Sequence, residues 1–242
     1  MKITPRHLQM NFTPRYLQTV TTTRSLSNGI TGVFYDWDGT LMEFRGNQFL
    51  NSINEVLFMF GHPKMQSLAD SKSIRDTFTR TMQCQTKTEE ALEAFRHHFS
   101  THPLSRSNLI PGAEELIKRI KDYRLPQGVV SNLDHNLLVK EIEILGLSDY
   151  FSVVIGSKND QHLKPSPDLL IEALNSIGIA PSRSILYLGD TPGDVTSAKA
   201  AGCTSILVGN PRPEVKPDIT VTNLSEVGII LDNVINNKSR SL

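Results

Sequence analysis

The chain has 242 residues, 38% hydrophobic and 21% charged, and its 25 basic residues are matched by 25 acidic ones for a formal net charge of zero. Folding at this length buries about 70–75% of the surface exposed by the unfolded chain, enough for one sizeable core, while the charge balance argues against nucleic acid as the main partner. Two cysteines, Cys84 and Cys203, show neither disulfide-framework nor metal-ligand spacing, and no apolar run approaches the roughly 18 residues of a membrane span. The expectation is a soluble protein of a reducing compartment, the cytoplasm, a monomer or weak dimer with no membrane partner.

Residues 1–31 carry Lys2, Arg6, Arg15 and Arg24 among many Thr and Ser, with no Asp or Glu, and TPRHLQ at Thr4–Gln9 is echoed by TPRYLQ at Thr13–Gln18. An acid-free start of this kind has the composition of an organellar transit peptide. Pro5 and Pro14 would interrupt any amphipathic helix there, so a disordered basic extension is expected, with an organellar location as the alternative.

From Gly32 the texture changes. GVFY at Gly32–Tyr35 is a short apolar run leading into DWDGT, which predicts a buried strand ending in a polar loop. Residues 46–107 then lose all strand signals: Phe49, Ile53, Val56, Leu57 and Phe60 follow helical spacing, as do Ile74, Phe78 and Met82, and Leu92, Phe95 and Phe99. Such a block, inserted after a first strand, predicts a second, all-helical domain, a long helical crossover being the alternative. Further apolar runs at Gly128–Val130, Ser152–Ile155, Ile185–Leu188 and Ser205–Val208 alternate with helical patterns at Pro111–Tyr123, Asn136–Leu147, Pro167–Ile177 and Gly193–Ala201. That alternation predicts βαβ units and a parallel sheet. The α/β core accordingly comprises residues 32–45 and 108–236, with a tail at 237–242.

Open parallel sheets gather binding groups at the carboxyl ends of their strands. Here those ends carry Asp36-Trp37-Asp38-Gly39-Thr40, Ser131-Asn132, and Gly189-Asp190 followed by Asp194, while Lys164 sits in a loop before a helix. Two carboxylates at i and i+2 on an extended segment project to one side, so Asp36 and Asp38 can address one substrate, one attacking phosphorus and the other protonating the leaving oxygen. Asp190 and Asp194 come together if their loop turns into a helix, and their hard oxygens suit Mg²⁺. Lys164 adds a point charge toward a phosphate. The Ser131 hydroxyl and the N–H groups that follow Asp38 and Ser131, those of Gly39, Thr40 and Asn132, can hydrogen-bond its oxygens.

VFYDWDGTL, VVSN, KPSPDLL and LYLGDTPGDVTSAKAAG, in that order, resemble the four motifs of the haloacid dehalogenase-like hydrolase superfamily, and the second half is most similar to phosphoglycolate phosphatases. The resemblance implies a doubly wound, Rossmann-like parallel sheet with a helical cap inserted where the helical block lies. It implies that Asp36 is the nucleophile and Asp38 the general acid, then base. Ser131 and Lys164 would bind the phosphoryl group, Asp190 would ligate Mg²⁺ with Asp36 and the Asp38 carbonyl, and Asp194 would support the metal's water shell. The second acid, Asp38, favours a phosphate ester over the dehalogenase and phosphonate branches. Relatives often have an Asp-Ser pair soon after DGTL, where this chain has Met42-Glu43-Phe44. The expected activity is hydrolysis of a small phosphorylated metabolite. A sugar phosphomutase would keep the same core residues, and a retired binding module is disfavoured by the intact acids.

Other residues are read more plainly. Trp37 should point away from both acids into the core. His97, His98 and His102 suit the polar face of a cap helix, and His135 stands near the second motif. Arg45, Arg75, Arg80 and Arg96 are candidates for a substrate carboxylate or for ordinary helix surface. Cys84 and Cys203 are expected as buried small residues.

Overall fold

The computed structural model describes residues 29–68, 73–102, 104, 106–158 and 162–239. The expected extension over 1–28, and the transit-peptide question with it, lies outside them, as do residues 240–242 of the expected tail. Six strands, β1 (Gly32–Tyr35), β2 (Gln127–Asp134), β3 (Val153–Ser157), β4 (Ile185–Gly189), β5 (Thr204–Val208) and β6 (Ile219–Val221), form one sheet in the order β3-β2-β1-β4-β5-β6. All pairings are parallel. This is the doubly wound order, which reverses direction between β1 and β4 and opens a crevice beyond their carboxyl ends.

Helices α1 (Gly46–Met59), α2 (Ile74–Met82) and α3 (Gln85–Ser100) follow β1; α4 (Ala113–Asp122), α5 (His135–Ile144), α6 (Asp168–Ser176), α7 (Pro192–Ala200) and α8 (Leu224–Ser239) wrap the sheet. The side-chain period of two in β1 sorts its residues between the sheet's faces. Val33 and Tyr35 pack with apolar residues of α4, α5 and α8, whereas Phe34 packs with those of α6 and α7. With both faces covered, the residues of β1 and β4 are all buried.

The packed chain starts before the expected boundary. Ile30 is buried in the core and the Thr31 N–H donates to Ser184 O at 2.9 Å. At the other end α8 runs to Ser239, past residue 236. Neither β6 nor α8 was expected from the sequence. Strand β6 is three residues long, too short for a periodic signal, although Leu224, Val227, Ile230 and Leu231 of α8 do follow helical spacing and are buried.

Helices α1 to α3 make their contacts chiefly with one another. Phe49 stacks on Phe99 with ring centroids 4.5 Å apart, Phe95 on Phe99 at 5.4 Å, and Phe78 meets Phe95 edge-on at 6.2 Å, separations at which aromatic pairs attract beyond simple burial. Leu41–Glu43 and 108–110, the segments that lead into and out of the block, run antiparallel: Glu43 N–H donates to Asn108 O and Ile110 N–H to Leu41 O, both at 2.9 Å. Among the described residues no helix is long and apolar enough to cross a membrane.

Candidate active site

The loop after β1 lies in the crevice. Asp36 continues the ladder, its N–H donating to Leu188 O at 2.8 Å, and its side chain is buried. Trp37 turns away, as expected, and is fully buried with Nε1 donating to Glu141 Oε2 at 2.8 Å. At Gly39 the backbone has φ +85°, and an added Cβ would lie 2.5 Å from Asp190 Oδ2; only glycine lets the loop after β1 approach the end of β4 so closely. Asp194 is fixed by a reciprocal cap at the start of α7: Thr191 N–H donates to its Oδ2 at 3.0 Å, and its own N–H donates to Thr191 Oγ1 at 3.3 Å. Asp36, Asp190 and Asp194 thereby bring one carboxylate oxygen each within 4.8 Å of the others.

Lys164 is the cation in this acidic cluster. Its buried Nζ is 2.6 Å from Asp36 Oδ1 and 2.6 Å from Asp194 Oδ1. The Asp36 contact is close but lacks hydrogen-bond alignment, so Asp36 Oδ1 is buried without a directed donor. Burial pushes Asp36 up to about 7 against the opposing pull of Lys164. Burial likewise pushes Asp38 up to about 7 against Arg45, and raises Asp190. Three clustered carboxylates against one ammonium, with one oxygen lacking a donor, fit a hard divalent cation by donor chemistry and by charge.

At the end of β2 the register with β3 shifts between Val130 and Asp134, the kind of irregularity that re-aims side chains beside active sites. The strand carries Ser131 and Asn132 as expected and runs on to Asp134. Asn132 clamps the lysine loop, its Nδ2 donating to Lys164 O at 3.1 Å and its Oδ1 accepting from Lys164 N–H at 2.9 Å. Asp36, Asp38, Ser131, Asn132, Lys164 and Asp190 line one cavity of about 520 Å³, whose far wall is formed by Phe44, Phe49, Ile53, Leu68 and Ile74.

Two of the residues expected to present N–H groups to a phosphate do something else. Gly39 N–H donates to Met42 O at 2.7 Å and Thr40 N–H to Trp37 O at 3.3 Å, because the loop turns tightly on itself. The Thr40 hydroxyl donates to Asp190 Oδ1 at 3.2 Å. Neither residue lines the cavity, nor does Asp194; the three hold the acids in place from behind.

Arg45 and Glu141 acquire a place that the sequence reading did not give them. Arg45 Nη2 lies 2.8 Å from both Glu141 oxygens and 3.2 Å from Asp38 Oδ1. A signal for Glu141 existed: it falls on the apolar stripe of α5 with Leu137, Leu138 and Ile142, all buried. Arg96 is no free surface arginine; its Nε and Nη2 reach Asp134 at 2.9 and 2.7 Å, tying α3 to the core. Arg75 pairs with Glu89 and Arg80 with Asp76. His135 accepts from Gly156 N–H at 3.2 Å and does not line the cavity, and His98 lies 3.1 Å from the Ser52 hydroxyl. Cys203 is buried as expected, but Cys84 is exposed, since it precedes α3 at a surface turn.

The raised acids predict a pH-dependent stability. An Asp in the unfolded chain titrates near 3.8, so the folded, metal-free protein holds protons that the unfolded chain has released. The contribution of Asp36 and Asp38 is present at acid pH and is lost as pH rises through about 7. In EDTA, Tm should fall between about pH 5 and about pH 8, and fall less steeply in Asp36→Asn. Equal slopes in the two proteins would show that Asp36 is not raised.

The family profile described as haloacid dehalogenase-like hydrolase matches residues 33–208, and the chain belongs to that family. Within it the chain is related to phosphoglycolate phosphatases. That of Chromobacterium violaceum is 26% identical over 218 residues, covering 84% of this chain and 97% of the relative. That of Aquifex aeolicus is 26% identical over 209 residues, again 84% and 97%. Solved structures of the same fold include CbbY from Rhodobacter sphaeroides in complex with phosphate, at TM-score 0.70 and 19% identity over 84% of this chain and 99% of that one. Another is β-phosphoglucomutase from Clostridium difficile, at TM-score 0.70 and 16% identity over 85% and 99%.

Proposed function

We propose that this protein is a Mg²⁺-dependent phosphatase that hydrolyses a small, phosphoglycolate-like phosphate monoester through a phosphorylated Asp36. The observation that carries the reading is the convergence of Asp36, Asp38, Lys164 and Asp190 on one cavity of about 520 Å³, a volume suited to a small ligand. An Asp36 oxygen attacks phosphorus, the ester P–O bond breaks, and the Asp38 carboxyl gives its proton to the departing oxygen. Asp38, now a carboxylate, then takes a proton from water as the water oxygen bonds to phosphorus and the bond to Asp36 breaks. Lys164 meets the phosphoryl charge, and Ser131 and Asn132 border the same space. Asp36, Asp190 and the Asp38 carbonyl would hold Mg²⁺ with Asp194 behind them, and the ion supplies charge neutralisation for the transferring group.

The far wall supports water as the acceptor. Among the described residues it is mainly apolar, and the two hydroxyls there engage α2: Ser73 Oγ accepts from Asp76 N–H and Thr77 Oγ1 donates to Ser73 O. Those described residues offer little to hold a sugar. Arg212, in the loop after β5, lines the cavity and offers a cation for a second anionic group such as a substrate carboxylate. Unpaired Cys84 and Cys203 suit a reducing compartment, and the cytoplasm is proposed as the site of action.

The test is a panel of phosphoglycolate, short esters without a second charge, and hexose phosphates, assayed with Mg²⁺ and with EDTA. Free phosphate and phosphate migration are followed separately. Free phosphate from the short esters, lost in EDTA, is the expected result. In Arg212→Gln, KM for phosphoglycolate should rise roughly fivefold or more relative to the uncharged esters, the scale of an exposed charge pair worth about 1 kcal/mol. Migration between sugar positions with little free phosphate would assign a mutase, and activity unchanged by EDTA would remove the metal.

A further inference from the structure

We propose that Arg45, held by Glu141, is the positioning residue for the Asp38 carboxyl, gripping Oδ1 so that Oδ2 exchanges the proton. The inference rests on the reading of Asp38 as general acid and base. Arg45 stands at the cap position that starts α1, at the junction of the core with the helical block. Its side chain is 9% exposed and that of Glu141 4%. One nitrogen, Nη2, serves both oxygens of Glu141 at 2.8 Å and Asp38 Oδ1 at 3.2 Å.

A guanidinium engaged only in packing would turn its fork fully onto the glutamate. Here Nε is buried without an acceptor, so the group is rotated toward Asp38 at the cost of one hydrogen bond. Two further contacts fix that orientation. The guanidinium carbon lies 5.0 Å from the Phe99 ring centroid and 5.7 Å from that of Phe49. Glu141 in turn accepts from Trp37 Nε1 at 2.8 Å, holding the residue next to Asp38 in the chain. Asp38 is thus steered from its own backbone and from its side chain by one glutamate on α5. Arg45 caps α1, the first helix of the block, while Asp38 and Glu141 belong to the core, so the contact ties the carboxyl to the point where the block begins.

The proton from Asp38 matters most when the leaving oxygen is a poor leaving group. Loss of positioning should therefore depend on the ester, which a merely structural role would not produce. The experiment compares kcat/KM, which reports steps through cleavage of the ester bond, for a short alkyl phosphate and for p-nitrophenyl phosphate, in the full-length enzyme with Mg²⁺. Arg45→Gln and Glu141→Gln should each lose at least about tenfold more on the alkyl ester than on the aryl ester, and Asp38→Asn about 10²–10⁴-fold more. The double replacement Arg45→Met with Glu141→Met removes the buried pair as a unit, an exchange that proteins often tolerate, and should show the same selectivity in a protein whose Tm is kept. Equal losses on both esters, or none, in a folded Arg45 or Glu141 variant would overturn the inference while the Asp38→Asn selectivity keeps the mechanism. An Asp38→Asn variant without ester selectivity would overturn both.

Discussion

Asp36→Asn should abolish turnover, with a loss of at least about 10⁴-fold, the scale seen when a nucleophile is deleted. The amide keeps the size of the carboxyl and the N–H to Leu188 O, so the variant should fold. It has no oxygen able to form the acyl phosphate. Asp38→Asn should lose about 10²–10⁴-fold through absent proton transfer instead. Rapid quenching followed by mass spectrometry of the wild-type enzyme should find phosphate on Asp36, and none on the Asp36→Asn protein. Full activity in Asp36→Asn would sink the mechanism.

Lys164→Ala should damage stability as well as activity. The ammonium sits 2.6 Å from both Asp36 and Asp194, with 5% of its side chain exposed. Removing it leaves two buried carboxylates facing each other, and breaking a buried ion pair from one side costs about 3–5 kcal/mol. The loss should be greatest above about pH 7, where the raised acids ionise, and Mg²⁺ should restore part of it by supplying another counter-charge. Thermal melts across pH, in EDTA and in Mg²⁺, read all three effects. A Tm indifferent to Lys164→Ala would mean that the lysine is not the counter-charge of this cluster.

The clustered acids were legible because strand ends are local. Asp36, Asp38 and Asp190 each follow an apolar run by one to three residues, and a parallel sheet brings such ends to one edge. The helices of the block were legible from spacing for the same reason, since Phe49, Phe78, Phe95 and Phe99 report their own helix faces. What the residues do to one another was not legible. Glu141 meets Trp37 from 104 positions away, and Asn132 holds the Lys164 loop from 32 positions away; no local pattern encodes those pairs. Gly39 and Thr40 were read as N–H donors to a phosphate from their place after Asp38, but their turn geometry commits them to Met42, Trp37 and Asp190.

Because the chain leaves the core at Glu43 and returns at Asn108 within one hydrogen bond, the sheet meets the whole helical block as a point insertion. Segments of other lengths or folds can be spliced between those residues without changing the register of β1 against β2. Loop closure costs little more as an insert lengthens, and here the two ends are already clasped. Selectivity can therefore drift in one exchangeable segment while the acids stay under the geometric discipline of the sheet. The exception among the described residues is Arg45, whose side chain touches Asp38, and a graft that omits it would have to bring its own partner for Asp38 and Glu141.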